Sequence, residues 1–250
     1  MYIKQTHSTS TLLRELYSEQ LPHGYTIRTD FQTAGRGQTG NKWESEEGKN
    51  LLFSTLLRYP DIKATEQWRL SMLVAVTLWE VLAKYLPKEQ LKIKWSNDIY
   101  WGDNKLAGIL IENVLVGNNI GYTIAGVGLN VNQIEWCSDA PNPISMRQIT
   151  GKEYDLELLQ MDWSEAMKSW ETRSTSEISI AYLQHIYREK GWYPYVEREV
   201  NVTPTAIAPT NVEGVFLAEL VGITEHGELI LRKESGERKT YHFKQIRFVI

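Results

Sequence analysis

The chain has 250 residues, 27 basic against 31 acidic, a net charge of −4 and one cysteine. That length buries a sizeable core and allows one large domain or a main domain with a small appendix. The charge balance gives no footprint for nucleic acid and no charged tail, while the lone Cys137, read as a partly buried thiol, excludes an intramolecular disulfide and any multi-cysteine zinc site.

In chain order, Met1-Tyr2-Ile3-Lys4-Gln5-Thr6 carries no apolar signal core, which makes a cytoplasmic protein the expectation. Thr9 or Ser10 can cap a short helix with Leu12, Leu13, Leu16 and Tyr17 on one side, ending near Pro22-His23-Gly24. Tyr25 to Thr29 reads as a strand delivering the chain into the loop Gly35-Arg36-Gly37-Gln38-Thr39-Gly40-Asn41-Lys42-Trp43. Gly35, Gly37 and Gly40 spell G-x-G-x-x-G, but the dinucleotide pattern needs a helix directly after it. Here Asn41 to Asn50 has no apolar helical period and runs into the strand signal Leu51-Leu52-Phe53-Ser54-Thr55-Leu56-Leu57. The glycines therefore read as a flexible binding loop.

Leu70, Leu73, Val74, Leu78, Val81, Leu82 and Tyr85 recur at helical spacing and predict a helix from Thr65 to Tyr85, closed by Pro87. Glu80 and Lys84 interrupt it, so it does not read as a membrane span. Strands are expected at Leu91 to Trp95, Lys105 to Val114 and Tyr122 to Val131, the last two joined antiparallel through Gly117-Asn118-Asn119. Helical patterns at Asp155 to Trp170 and Glu177 to Lys190 would cover or flank the sheet, an α+β arrangement, with Trp163 and Trp170 read as core. The character changes near Gly191-Trp192-Tyr193-Pro194, which divides the chain into 1–192 and 193–250. In the second part Glu199 to Val202, Gly214 to Ile223, Glu228 to Arg232 and Lys239 to Phe243 are strand candidates for a small barrel.

Joining an adenylyl group to a carboxylate asks the protein for positioning and charge neutralisation, because the substrate oxygen is itself the nucleophile. Lys94, Lys105 and Arg36 are candidate fixed cations for such a reaction, and Asp98 a candidate for metal or amine contact. Taken singly, the lysines read as solvated strand residues, and Asn97-Asp98 with Gly102-Asp103-Asn104 as hairpin turn chemistry. His7, His23, His185, His226 and His242 are scattered without metal-ligand spacing.

The strings Lys94-Trp95-Ser96-Asn97-Asp98-Ile99 and Lys105-Leu106-Ala107-Gly108-Ile109-Leu110, with Glu112, resemble the K-W-P-N-D, K-x-x-G-I-L, E signature of biotin protein ligases. Gln32-Thr33-Ala34-Gly35-Arg36-Gly37 and Trp43 are similar to that family's biotin and adenylate loop. Ser8-Thr9 is similar to its S-T-N, and Gly126-Val127-Gly128-Leu129-Asn130 to its G-x-G-x-N strand. The resemblance implies a catalytic domain like those of lipoate ligases and class II synthetases, with mixed sheet and flanking helices, and a C-terminal SH3-like domain from Gly214 to Ile250. It implies formation of biotinyl-5'-AMP from biotin and ATP with Mg2+, then transfer to a lysine of a biotin carboxyl carrier protein.

Carried over, Ser8, Thr9 and Gln32 would bond the ureido ring, and Gly35 and Arg36 would close over biotin and adenylate. Lys105 would meet the carboxylate and α-phosphate, and Gly108 would let biotin approach a strand. Lys94, Asn97 and Asp98 would serve the nucleotide, its metal and the incoming lysine, with Gln38, Asn41, Trp43 and Asn130 further nucleotide contacts. The plain alternatives for Trp43 and Asn130 are a packed tryptophan and a turn asparagine. Gln38 and Asn41 stand where relatives often carry arginine, and Ser96 where they carry proline. Relatives that repress transcription add an N-terminal helix-turn-helix; the seven residues before Ser8 hold none, so no DNA partner is expected, nor a membrane one, and the oligomeric state is expected to be a monomer or weak homodimer. Competing readings are an enzyme acting on lipoate or octanoate, and a non-catalytic biotin-binding module.

Overall fold

The computed structural model describes residues 1–38, 41–137, 142–197, 214–242 and 245–250. A seven-stranded mixed sheet has the order β1-β2-β3-β7-β6-β5-β4. Its strands are β1 (Tyr2–Thr6), β2 (Thr26–Gln32), β3 (Leu51–Leu57), β4 (Leu91–Lys94), β5 (Asp98–Trp101), β6 (Asn104–Val116) and β7 (Asn119–Leu129). Only β1 and β2 run parallel within it. A second, five-stranded antiparallel sheet follows, in the order β11-β10-β9-β8-β12. It consists of β8 (Trp192–Glu197), β9 (Val215–Ile223), β10 (Leu229–Lys233), β11 (Arg238–Tyr241) and β12 (Ile246–Phe248), the arrangement expected of an SH3-like unit.

Period-two alternation divides the faces of the large sheet. Leu51, Phe53 and Leu57 of β3, with Ala125, Val127 and Leu129 of β7, join the main core beneath α2 (Trp68–Leu82), α4 (Leu156–Glu171) and α5 (Thr175–Gln184). Trp163 is buried there against Phe53, with ring centroids 5.2 Å apart, so the tryptophans of α4 are core as expected. On the opposite face, Leu13 of α1 (Thr9–Glu15) meets Ile27, Leu56 and Ile124 in a smaller cluster. The residues of greatest interest share that second face.

Several elements depart from the expectation, for physical reasons. Strand β1 was not predicted, because its polar, mostly exposed sequence lies at a sheet edge and carries no apolar alternation. Strand β5 was hidden between the turn residues Asn97 and Gly102, whose positive φ of 54° makes the β5–β6 corner. The cap of α1 is Ser8, not Thr9 or Ser10, and its side chain makes no capping bond; the helix stops at Glu15, and beyond it the guanidinium of Arg58 donates to the carbonyls of Ser18 and Glu19. Helix α5 ends at Gln184, short of Lys190, because Ile93 of β4 takes the backbone of His185 and Tyr187 into edge pairing instead. Helix α3 (Met146–Thr150) went unread although Ser145 and Gln148 form its capping box. Cys137 is exposed, not partly buried, and the expected strand Glu199 to Val202 lies outside the described residues, as do Thr39, Gly40 and Phe243.

Candidate functional site

The cleft begins with three absent side chains. Gly108 of β6 pairs with Gly128 of β7, and Leu110 with Gly126, so three glycines fall on the α1 face of two adjacent strands. A Cβ at Gly126 would lie 2.5 Å from the Ser10 hydroxyl, and one at Gly128 2.7 Å from Trp43 Nε1. Helix and loop therefore rest directly on strand backbone. The first turn of α1 supplies a polar end: Gln32 Oε1 accepts from the Thr9 N–H at 2.8 Å, and Ser54 Oγ lies 2.7 Å from the Thr9 hydroxyl and 2.9 Å from that of Ser10. Ser8, Thr9 and Ser10 are all buried.

The charged end is made by an irregularity. Ile99 pairs with Ala107 but Tyr100 with Lys105, so Leu106 is an extra residue and β6 bulges there. The bulge sends Leu106 and Ala107 to the core and returns Lys105 to the cleft, where its Cε would meet a Cβ at Gly108 at 3.4 Å. Lys105 Nζ donates to Asp98 Oδ2 at 2.6 Å. Next to this pair, Lys94 Nζ lies 3.0 Å from the Tyr100 hydroxyl and 4.3 Å from its ring. Burial pulls the Lys94 ammonium down to about 8, with the positive charges of Lys105 and Arg188 adding to it against the pull of Asp98. Asn97 Nδ2 donates to the Ile109 carbonyl at 2.9 Å, and its Oδ1 accepts from Gln38 Nε2 at 3.3 Å and from Ser96 Oγ at 2.6 Å.

The described arms of the glycine loop, residues 35–38 and 41–43, pair as a small hairpin laid over the cleft. Arg36 bridges to Lys42, the Trp43 N–H donates to the Gly35 carbonyl at 3.0 Å, and the Gly37 N–H to the Asn41 carbonyl at 3.0 Å. Gly35 is required because a Cβ would stand 2.6 Å from the Trp43 carbonyl. The Trp43 indole lies over Gly108 and Gly128, its buried Nε1 without a hydrogen-bond partner among the described residues. Arg36 Nη2 donates to Glu112 Oε2 at 3.0 Å.

Of the residues singled out from sequence, Ser8, Thr9, Gln32, Arg36, Gln38, Asn41, Trp43, Asp98, Lys105 and Gly108 line one cavity of about 100 Å³. Gly35, Lys94, Asn97 and Asn130 stand outside its lining. Asn130 is buried and straps backbone, its Nδ2 donating to the carbonyls of Lys105 at 3.3 Å and Ile144 at 3.1 Å. Sequence reasoning gave no part in the site to Ser54, Tyr100 or Arg14, read Ser10 only as a possible helix cap, and noted Glu112 in the resemblance without a role. The signal for the glycine floor was present, since Gly126 and Gly128 share a strand phase and their partner strand carries Gly108.

The family model for the biotin/lipoate A/B protein ligase family matches residues 2–130. The bifunctional ligase/repressor BirA of Bacillus spizizenii is 28% identical over 243 residues, covering 94% of this chain and 69% of that one. The biotin--[acetyl-CoA-carboxylase] ligase of Paracoccus denitrificans is 28% identical over 218 residues and 83% of either chain. A solved biotin protein ligase from Aquifex aeolicus, in complex with biotin and ATP, superposes with a TM-score of 0.75 at 25% identity, covering 100% of this chain and 98% of that one. With just over half of its residues matched by the family model, and a cleft built from the strings that suggested it, this chain belongs to the biotin/lipoate A/B protein ligase family.

Proposed function

We propose that the chain is an ATP-dependent biotin protein ligase. It joins a biotin carboxylate oxygen to the α-phosphorus of ATP, releasing pyrophosphate; the amine of a lysine on a biotin carboxyl carrier protein then attacks the acyl carbon, and AMP leaves with the bonding pair. The observation that carries this reading is one cavity holding the Thr9–Gln32 polar end and the Lys105–Asp98 pair on either side of a glycine floor. That spacing suits a ligand with a hydrogen-bonding head and an anionic end.

Lys105 meets the carboxylate and the α-phosphate, exchanging Asp98 for a ligand oxygen as negative charge gathers there. Asp98, so released, holds the ammonium of the incoming lysine and takes up its proton. Arg36 brings a second positive charge from above and Lys94 a third from behind Tyr100. Among the described residues no group of three or more His, Cys, Asp or Glu could hold a metal. The residues present fit a magnesium ion of the kind carried chiefly by nucleotide phosphates and water, with Asp98 the one carboxylate in the lining among the described residues; such an ion neutralises phosphate charge.

The rival acid is lipoate. The Thr9, Ser10 and Ser54 hydroxyls and Gln32 favour biotin, since they give this end of the cleft donors and acceptors that a ureido ring engages and a fatty acyl tail does not. The test is mass spectrometry of a carrier domain incubated with this protein, ATP, magnesium and either acid. A mass increase with biotin alone, abolished by Lys105→Ala, is expected; an increase with lipoate alone moves the substrate, and no increase, with an acceptor that a known ligase modifies, defeats the reading.

A further inference from the structure

Glu112 lies on the α1 face of β6, in phase with Gly108 and Leu110, outside the lining of the cleft. Its side chain is 18% exposed and is shared by two arginines. Oε1 accepts from Arg14 Nη2 of α1 at 2.8 Å, and Oε2 from Arg36 Nη2 of the hairpin at 3.0 Å. One carboxylate thus ties together the helix that carries Thr9 and Ser10, the strand that carries Gly108, and the loop that covers both. Two guanidiniums against one carboxylate leave a surplus positive charge at the cleft. The bond to Arg36 engages one edge of a group with five donors, so it fixes the plane of the guanidinium without consuming it.

We propose that Glu112 is the positioning residue for Arg36, and that Arg14 tunes it by sharing the carboxylate. This rests on the ligase reading in so far as Arg36 serves the nucleotide. A long arginine side chain has many rotamers to lose when it meets phosphate. Glu112 removes that freedom beforehand and holds the hairpin over the glycine floor. Arg14 withdraws half of the carboxylate's attraction, which keeps Arg36 able to turn toward an incoming anion.

The test pairs Glu112→Gln with Arg36→Met in a double-mutant cycle. Glu112→Gln alone is expected to lower kcat for biotin-dependent pyrophosphate exchange and raise the KM for ATP, about tenfold in kcat/KM, as for coupled neighbouring residues. Biotin affinity measured without nucleotide falls by less than the KM for ATP rises, because Thr9, Ser10 and Gln32 keep their own bonds. In the Arg36→Met background the same substitution has no further effect. Additive losses, or wild-type kinetics in Glu112→Gln, overturn the proposal.

A second readout needs no substrate. Hydrogen exchange at the Gly37 and Trp43 amides, which close the hairpin at 3.0 Å each, quickens in Glu112→Gln. In Arg14→Met it slows, because the carboxylate then grips Arg36 alone; this variant also serves if Glu112→Gln does not fold. Exchange changing in the same direction in both, or in neither, also overturns the proposal. A wild-type protein that adenylates nothing defeats the ligase reading, while exchange still judges the role of Glu112.

Discussion

A methyl group at Gly128 should uncouple the hairpin from the floor of the cleft. Its Cβ would stand 2.7 Å from Trp43 Nε1 and 2.8 Å from Cζ2, where ordinary contacts begin near 3.4 Å. The indole must retreat by more than half an ångström, carrying Lys42, Arg36 and Gly37 with it through the hairpin bonds. At Gly108 the strain is smaller, with 2.8 Å to one ring carbon and 3.3 Å to the next. A displacement approaching 1 Å at a positioning element costs up to about 100-fold in rate. We therefore expect Gly128→Ala to lower kcat for adenylate formation by roughly 30- to 100-fold, and Gly108→Ala by about tenfold. Stability should fall by at most about 2 kcal/mol, because overpacking by ~1–3 kcal/mol is partly offset by the ~0.5–1 kcal/mol that alanine gains over glycine in a strand. Gly222 of β9, where a Cβ meets nothing within 4 Å, is the control and should tolerate alanine without loss. The assay is single-turnover adenylation alongside thermal denaturation. Wild-type rates in Gly128→Ala, or a larger effect at Gly108 than at Gly128, would refute the argument that the indole must sit on bare backbone.

Gln38 donates to Asn97 where an arginine could grip the adenylate by a charge-assisted bond of about 1.5–3 kcal/mol. Without acceptor, wild-type protein should release free biotinyl-AMP roughly ten to a hundred times faster than Gln38→Arg, read by chromatography; equal release counts against it. Lys94 loses its charge as pH rises through about 8, so the KM for ATP should climb above that pH and stay flat in Lys94→Arg. The sign for stability is opposite: between about 8 and the usual lysine value the unfolded chain binds more protons, so urea titrations should show this group's contribution rising with pH across that window. Asn130→Ala strips the strap from two carbonyls and should cost about 1–3 kcal/mol in urea denaturation, with a fall in kcat because Lys105 is held through its own carbonyl.

What could be read beforehand was local. The run from Leu70 to Leu82 shows its helix because burial repeats at helical spacing, and β6 and β7 show theirs because their core face carries Ala107, Ile109, Ala125, Val127 and Leu129 and a turn at Gly117-Asn118-Asn119 joins them. The strings around Lys94, Lys105 and Gly35 were legible for the same reason, since each packs its chemistry into a few consecutive residues. Relations that join distant residues left no trace. The Glu112 carboxylate meets Arg14 and Arg36 only after β6 is set beside α1 and the hairpin folds over both. Nor does any local pattern say that Trp43 will fill the space vacated at Gly108 and Gly128. The overlong helix at 177–190 failed similarly: Ile93, on a strand that precedes it by several elements, supplies the hydrogen bonds that end it.

The electrostatic design explains why so charged a cleft survives without distortion. Lys105 is neutralised by Asp98, Arg36 shares Glu112 with Arg14, and Lys94 leans on the Tyr100 hydroxyl and ring while burial lowers its proton affinity. Lys94 is the one whose enclosure disfavours charge, whereas the Lys105 and Arg36 side chains stay 33% and 39% exposed, so their carboxylate partners chiefly fix their positions. The same partners set the selectivity of the site. An incoming anion gains only the difference between its own bonds and those it displaces, and a single carboxylate offers little over Asp98. A ligand carrying several phosphate oxygens can meet Lys105 and Arg36 together, with the charge of Lys94 behind Tyr100 adding to theirs, which favours nucleotide over simple acids. Removing one internal partner should therefore raise the affinity for small anions at a cost in stability. Asp98→Asn is the direct case: pyrophosphate binding measured by calorimetry should tighten while the melting temperature falls. If both stay at their wild-type values, the pairing of Asp98 with Lys105 is incidental and the selectivity lies elsewhere in the cleft.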